Sequence, residues 1–297
     1  MRVVVGGASG MIGGALFAAL RERGDRVVAL VRRAARGGDE VAWDPASGHL
    51  DSAALAGADA VVNLSGASIS RLPWTRRYRR EILASRITAT TALVGALHEA
   101  ARAGAPVPVL VSGSAVGFYG NRPGERLDES SAAGGGFLAE TVRAWEVAAL
   151  EAPEQTRVAL ARTGLVIGPA GATAPLRVIA RLGLAGPLGS GRQRWPWISL
   201  ADEVGALVHL IDAPVAGPVN LVAPDAAPAS EVIRAVAAHE HRPYWLPAPA
   251  FAISAALGAA GRELLLADQD IEPAVLTASG YRFRHRTVAE AVAALPS

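Results

Sequence analysis

Three glycines spaced three apart, Gly7, Gly10 and Gly13, follow the β-branched run Val3-Val4-Val5 and open an amphipathic stretch from Met11 to Leu20. A strand that passes into a helix through this spacing has few alternative folds. The first glycine lets the chain turn tightly. The second leaves the backbone bare where a Cβ would keep a ligand away, and the third lets the helix close on the strand. The helix then points free N–H groups and its positive dipole end at the turn. The spacing therefore predicts a seat for the pyrophosphate of a dinucleotide, with Ser9, Met11 and Ile12 as its other members. An ordinary strand-turn-helix connection is the competing reading.

The alternation continues downstream. Apolar runs predict strands at 26–31, 59–64, 107–112, 156–161 and 217–222, and helical patterns fall at 11–23, 74–103, 136–151 and 202–212. Such alternation implies an α/β fold, a Rossmann doubly wound parallel sheet with helices on both faces. Ligands of these sheets bind beyond the carboxyl ends of the strands. Near residue 169 glycine and proline become frequent and the segments shorten. We expect residues 1–168 to form the dinucleotide-binding domain and 199–223 to return to it. The remainder of 169–297 would form a second, smaller α/β lobe over the ligand.

At 297 residues and 51% hydrophobic content, the chain can bury a large core and is not a disordered sequence. It has no cysteine, which excludes disulfides and thiolate metal sites, and its six histidines show no metal-binding spacing. All 29 residues counted as lysine plus arginine are arginine, so Schiff-base chemistry and any lysine proton relay are impossible. A net charge of +2 gives no pull toward nucleic acid or membranes. The apolar stretch 246–260 is too short to span a bilayer, is interrupted by Pro247, Pro249 and Gly258, and reads as a docking helix. Met1 and Arg2 lead straight into a strand with no secretory pattern before it. These features point to a cytoplasmic protein, monomer or homodimer, acting on a small molecule, with anionic ones among the candidates.

The end of the second strand selects the nicotinamide cofactor. An acid there bonds the ribose hydroxyls, whereas an arginine pairs with a 2′-phosphate. Here Arg32 and Arg33 follow Val31, and no acid occurs before Asp39. A guanidinium matches phosphate oxygens as a planar fork, so NADP(H) is expected rather than NAD(H). A solvated pair of charges at a strand end is the alternative.

Further motifs appear in order: Asn63-Leu64-Ser65-Gly66, Trp74, Ser85-Arg86, Thr91, Ser114 to Gly120, Phe137-Leu138, Trp145-Glu146 and Arg162-Thr163-Gly164. Gly189 to Gln193, Trp197-Ile198, Arg242-Pro243, Pro247 with Pro249, and Gly280 to Phe283 follow. Over essentially its whole length the chain resembles the atypical or extended short-chain dehydrogenase/reductase superfamily, in particular the sugar-nucleotide-epimerase-like proteins with an extra C-terminal domain. The resemblance implies a Rossmann domain plus a small α/β lobe. It also implies cofactor contacts at Leu64, Ser65, Gly66, Ser112 and Arg162.

The chain departs from that superfamily's chemistry. Typical members carry a Tyr-x-x-x-Lys pair after the serine strand, where the tyrosine exchanges a proton with the substrate and the lysine tunes its pKa. Here the corresponding helix runs from Phe137 to Glu146 without either, and no tyrosine lies between Tyr119 and Tyr244. Ser114 matches the catalytic serine and Tyr119 is the nearest phenol; both are the candidate catalytic residues, Tyr119 on condition that a guanidinium lowers its pKa. A strand-end serine bonded to its own backbone is the plainer reading of Ser114.

Six arginines fall between Arg71 and Arg86. A clamp for an acidic substrate, a nucleic-acid patch and a solvated helix face are the three readings, with Arg86 the best inward candidate. Arg192 and Trp197 are expected to cap the nicotinamide end and touch the substrate. Two functions compete: an NADP(H)-dependent, epimerase-like oxidoreductase of atypical mechanism, and a non-catalytic NADP(H)-binding redox sensor or scaffold. An interaction module built on 248–266 is a third.

Overall fold

The structure, a computed structural model, describes residues 1–296. Seven strands form the central sheet: β1 (Arg2–Gly6), β2 (Arg26–Val31), β3 (Glu40–Ala42), β4 (Ala60–Asn63), β5 (Val109–Ala115), β6 (Val158–Thr163) and β7 (Gly217–Leu221). They lie in the order β7-β6-β5-β4-β1-β2-β3, and every pairing is parallel. The helices are α1 (Met11–Glu22), α2 (Arg76–Arg102), α3 (Phe137–Leu150), α4 (Thr173–Arg181), α5 (Leu200–Asp212), α6 (Ala229–His239), α7 (Ala250–Leu257), α8 (Ala274–Ala278) and α9 (Val288–Ala293).

Both faces of the sheet are covered, which is why β1 is apolar throughout rather than alternating. Val3 and Val5 pack with Leu16 and Leu20 of α1, and with Leu207 and Leu210 of α5. Val4 points the other way, toward Leu93 and Leu97 of α2. The order of strands reverses at β1, with β2 on one side and β4 on the other. That reversal leaves a crevice at the carboxyl edge. Register determines what lines it: Gly6 lies level with Asn63, Asn63 with Ser112, and Ser114 with Arg162.

β5 runs to Ala115, three residues beyond the expected end at 112, because Gly113, Ser114 and Ala115 continue the ladder with β6. Residues 199–223 supply α5 and β7 to the central sheet. A second core gathers α4, α6 and α9 around Trp195, Trp197, Ile233 and Val236. The later chain does not stay there. Leu276 of α8 is buried in the first core, with Tyr281 and Phe283 against it. The expected docking helix is α7, but of its side chains only Ile253 is buried. Among the described residues no helix is long and apolar enough to cross a membrane.

Candidate functional site

At the end of β1 the three glycines have distinct structural roles. Gly7 has φ +83°, in the region L side chains avoid, and a Cβ there would lie 2.6 Å from the Leu64 carbonyl oxygen. A Cβ on Gly13 would lie 2.2 Å from the Gly7 carbonyl oxygen, so only glycine lets α1 close on the turn. A Cβ on Gly10 would reach only Gly7 O, at 3.4 Å, and the residue is open to solvent. Gly10 is the N-cap of α1 without a side-chain cap, and the first turn holds no acid. The leading N–H groups of α1 therefore face the crevice without a side-chain partner, the arrangement an anion needs. Ser9 is exposed beside them, and Met11 and Ile12 are half-buried.

The two arginines after β2 differ. Arg33 is engaged in a bidentate pair with Glu40, Nη1 to Oε2 at 2.7 Å and Nη2 to Oε1 at 2.5 Å. This pair holds the Glu40 carboxyl down at about 2, chiefly through the Arg33 hydrogen bond. Arg32 is exposed and has no acidic partner among the described residues. Of the two, Arg32 is the guanidinium open to a phosphate.

Across the crevice, Asn63 is fully buried and shapes the next loop. Its Oδ1 accepts from Ser65 N at 3.1 Å, and its Nδ2 donates to Thr90 Oγ1 at 3.0 Å. Trp145 Nε1 donates to the same hydroxyl at 3.0 Å. Leu64 and Ser65 press on Gly7, while Gly66 is exposed. Arg86 stands behind Gly66, donating to the carbonyls of Ala67 at 3.1 Å and Ile82 at 2.9 Å. Of the other arginines of this segment, Arg76, Arg77 and Arg80 are exposed, Arg71 stacks on Tyr78, and the half-buried Arg79 stacks on Phe137.

The serine strand carries a network of buried polar groups. Ser114 Oγ donates to Glu146 Oε1 at 2.5 Å. Arg162 grips the same carboxylate, Nε to Oε1 at 2.8 Å and Nη2 to Oε2 at 2.9 Å. Its guanidinium lies 3.5 Å from the Phe118 ring centroid and donates from Nη1 to Tyr119 Oη at 2.9 Å. Tyr119 Oη donates in turn to Asn220 Oδ1 at 2.7 Å. Asn220 N donates to Glu129 Oε1 at 2.9 Å.

Several sequence expectations change at this point. Tyr119 is 0% exposed, and its hydroxyl is bonded on both sides. The anticipated guanidinium is beside it, yet burial outweighs that charge and pushes the phenol up, not down. Tyr119 is a sealed group packed with Val116, Leu127, Val222 and Ile271. Arg162 is enclosed by Glu146 and Phe118 instead of facing the crevice. Ser112 is also 0% exposed, its hydroxyl turned to the Gly113 carbonyl. Trp197 is 1% exposed in the second core, with Nε1 bonded to Asp225 O at 3.1 Å, so it is not a ligand contact. Arg192 is exposed and lines a cavity of about 430 Å³ with Asn121, Ser190 and Asp268.

A second cavity, about 390 Å³, lies beyond β5 between Gly117, Leu138, Ser254 and Arg262. Glu263 borders it and caps α3, accepting from Phe137 N at 3.2 Å and Leu138 N at 2.8 Å. The two cavities share Asn121 and Leu266. Sequence reasoning had not singled out Glu263, Arg262 or the role of Glu146. The signal for Glu146 was present: an acid beside Trp145 on the buried face of a helix, and an arginine inside the apolar strand VALART. Charges in such places need one another.

A doubly wound parallel sheet with a bare helix N-terminus at its switch point defines a dinucleotide-binding protein. Residues 3–222 match the NAD dependent epimerase/dehydratase family, and the chain belongs to it. Residues 248–295 match a domain of unknown function, DUF1731. The chain is 42% identical over 293 residues to an epimerase family protein of Mycobacterium tuberculosis, MT2273, covering 98% of this chain and 96% of that one. The crystal structure of human epimerase family protein SDR39U1 with NADPH superposes with a TM-score of 0.87 at 33% identity, covering 98% of both chains. A nucleoside-diphosphate sugar epimerase from Corynebacterium glutamicum superposes at 0.79 and 29% identity, covering 99% of this chain and 57% of that one. The crevice is accordingly a site for a nicotinamide dinucleotide, NAD(P).

Proposed function

We propose that the protein is an NADP(H)-dependent oxidoreductase whose mechanism does not use a Tyr-x-x-x-Lys pair. One observation carries the reading: the uncapped N-terminus of α1 against Gly7 and Gly13, with an unpaired Arg32 beyond β2. The NADPH in the human SDR39U1 structure supports the same choice of cofactor. Gly7, Ser9, Gly10, Met11, Ile12 and Gly13 would hold the pyrophosphate, Arg32 the 2′-phosphate, and Leu64 to Gly66 the flank of the dinucleotide. The cofactor, when bound, supplies the hydride chemistry.

The rest falls to the protein. Ser114 donates its hydroxyl hydrogen bond to Glu146, so toward a substrate hydroxyl it is left to accept one. The cavity lined by Gly117, Leu138 and Arg262 is the place we assign to a small-molecule substrate, with Arg192 near an acidic group on it. Titration of nucleotide-free protein with NADPH and NADH tests the cofactor. NADPH consumption against carbonyl compounds and nucleotide sugars tests the reaction. Absence of NADPH association removes the whole reading.

Binding without turnover on any of these substrates would favour the second reading, a non-catalytic NADP(H)-binding redox sensor or scaffold. The sealed Tyr119 and the engagement of Ser114 by Glu146 are the observations on its side.

A further inference from the structure

The apolar helix α7 is left uncovered by the rest of the protein, with Ile253 its one buried side chain. Most of the large apolar side chains exposed in this protein gather around it. Ile179, Leu182 and Leu184 lie at and beyond the end of α4, Trp245 and Leu246 precede α7, and Phe251 is on it. Leu182 is 67% exposed, Trp245 62% and Phe251 77%.

Backbone hydrogen bonds hold the two segments together as one surface. Trp245 N donates to Ala185 O at 2.8 Å, Ala248 N to Pro187 O at 2.9 Å, and Gly189 N to Ala248 O at 2.8 Å. A Cβ on Gly186 would lie 1.9 Å from Leu246 O, so only glycine allows this approach. Trp245 Nε1 donates to Gly183 O at 2.9 Å, which satisfies the polar edge of the indole and leaves its ring outward. A contiguous apolar patch fixed in this way marks a surface that meets something other than water.

The charges around the patch select what that is. Residues 178–192 and 241–262 contain no aspartate or glutamate. They carry Arg181, Arg192, Arg242 and Arg262, all exposed. Only Arg181 has an acidic partner among the described residues, Glu240, which also holds Arg177. A second copy docked across a two-fold axis would set this cationic surface against itself. The occupant must therefore be apolar at its centre and anionic at its rim. The chain's net charge of +2 exerts no such pull by itself; the pull is local.

We propose that α7 and the adjoining 182–189 and 245–248 segments form a peripheral docking surface for a bilayer carrying anionic headgroups. Trp245, Leu246 and Phe251 enter the boundary between headgroups and acyl chains, and the arginines meet the phosphates. The protein lies on the bilayer; among the described residues no helix is long and apolar enough to cross it. Ala250 and Ser254 of α7 line the two cavities, while Phe251 and Ala255, one position on, are exposed. Docking thus brings the cavities' rim to the level of the headgroups.

Tryptophan fluorescence of the full chain tests this directly. Trp245 is exposed and the other five tryptophans are buried, so acrylamide quenching reports chiefly on Trp245. Vesicles of equimolar phosphatidylcholine and phosphatidylglycerol should shield it from acrylamide and shift the emission to the blue. Pure phosphatidylcholine vesicles should do so less, and added salt should reduce the anionic effect. In co-sedimentation with the anionic vesicles, Phe251→Ser should lower partitioning about tenfold. Arg242→Gln should lower it about fivefold. Both residues are exposed, so the melting temperature should stay at the wild-type value. Failure of the anionic vesicles to shield Trp245 overturns the proposal. Shielding that needs only higher protein concentration also overturns it, in favour of a second copy. Shielding by an acidic polypeptide such as polyglutamate, but not by vesicles, overturns it in favour of a protein partner.

Discussion

Ser114 and Glu146 share a hydrogen bond of 2.5 Å in which the serine is the donor. Arg162 closes on the same carboxylate from the other side, so β5, β6 and α3 are joined at one buried point. Removing Glu146 would leave Arg162 with no carboxylate in a position that is 3% exposed. Glu146→Ala should cost about 3–5 kcal/mol of unfolding free energy, the usual consequence of stranding a buried charge. Glu146→Gln should cost less, because the amide oxygen can still accept from Ser114 or Arg162. Urea denaturation measures both. A loss under about 1 kcal/mol for the alanine variant would mean that the pair does not fasten these elements.

This network also marks how far the sequence could be read. The β1 turn and α1 were legible because all their determinants lie within eleven consecutive residues and act through backbone geometry. Ser114, Glu146 and Arg162 come from three separate elements, and no local pattern tells which buried charge meets which. Trp197 was expected at the ligand because it follows a glycine-rich segment, but the second core had room for a large apolar ring and took it. The tie between Arg33 and Glu40 was hidden for a simpler reason. Glu40 begins a strand of only three residues, too short to show any apolar alternation.

That tie leads to a specific expectation at the cofactor. Arg32→Ala should weaken NADPH binding by about tenfold or more while leaving NADH binding nearly unchanged, because only NADPH carries the 2′-phosphate. Arg33→Ala should have the smaller effect on NADPH, since Glu40 already holds that guanidinium. Fluorescence titration with both nucleotides checks the ratio. Equal losses for the two nucleotides in Arg32→Ala would remove the arginine from cofactor selection.

The glycines of the turn should respond differently to the same added methyl. In Gly13→Ala the new Cβ meets a backbone oxygen at 2.2 Å, which no side-chain rotation relieves. We expect a stability loss of about 1–3 kcal/mol, as for an overpacked core, together with loss of nucleotide binding. Gly10→Ala meets its nearest atom at 3.4 Å and should leave stability almost unchanged while weakening the nucleotide. Thermal melts alongside NADPH titration separate the two behaviours. A Gly13→Ala protein as stable as wild type would show that α1 can shift away from the turn.

Glu203 makes stability depend on pH in an unusual direction. It is fully buried on α5, Oε1 accepts from Thr163 Oγ1 at 2.7 Å, and Oε2 has no partner. Burial, opposed by the Thr163 bond, pushes its carboxyl up to about 8 from the ordinary 4.5. The folded protein therefore holds a proton that the unfolded chain releases between those two values. Where the native state binds more protons, stability falls as pH rises. Relative to acidic solution, this residue should remove about 4 kcal/mol of stability by the time pH passes 8. Glu203→Gln keeps the shape and an acceptor for Thr163 without the titration. The difference between wild type and variant, measured by urea denaturation from pH 5 to 9, should grow steadily in the variant's favour through that window. A difference that stays constant across it would mean Glu203 is ionised, or solvated, in the folded protein.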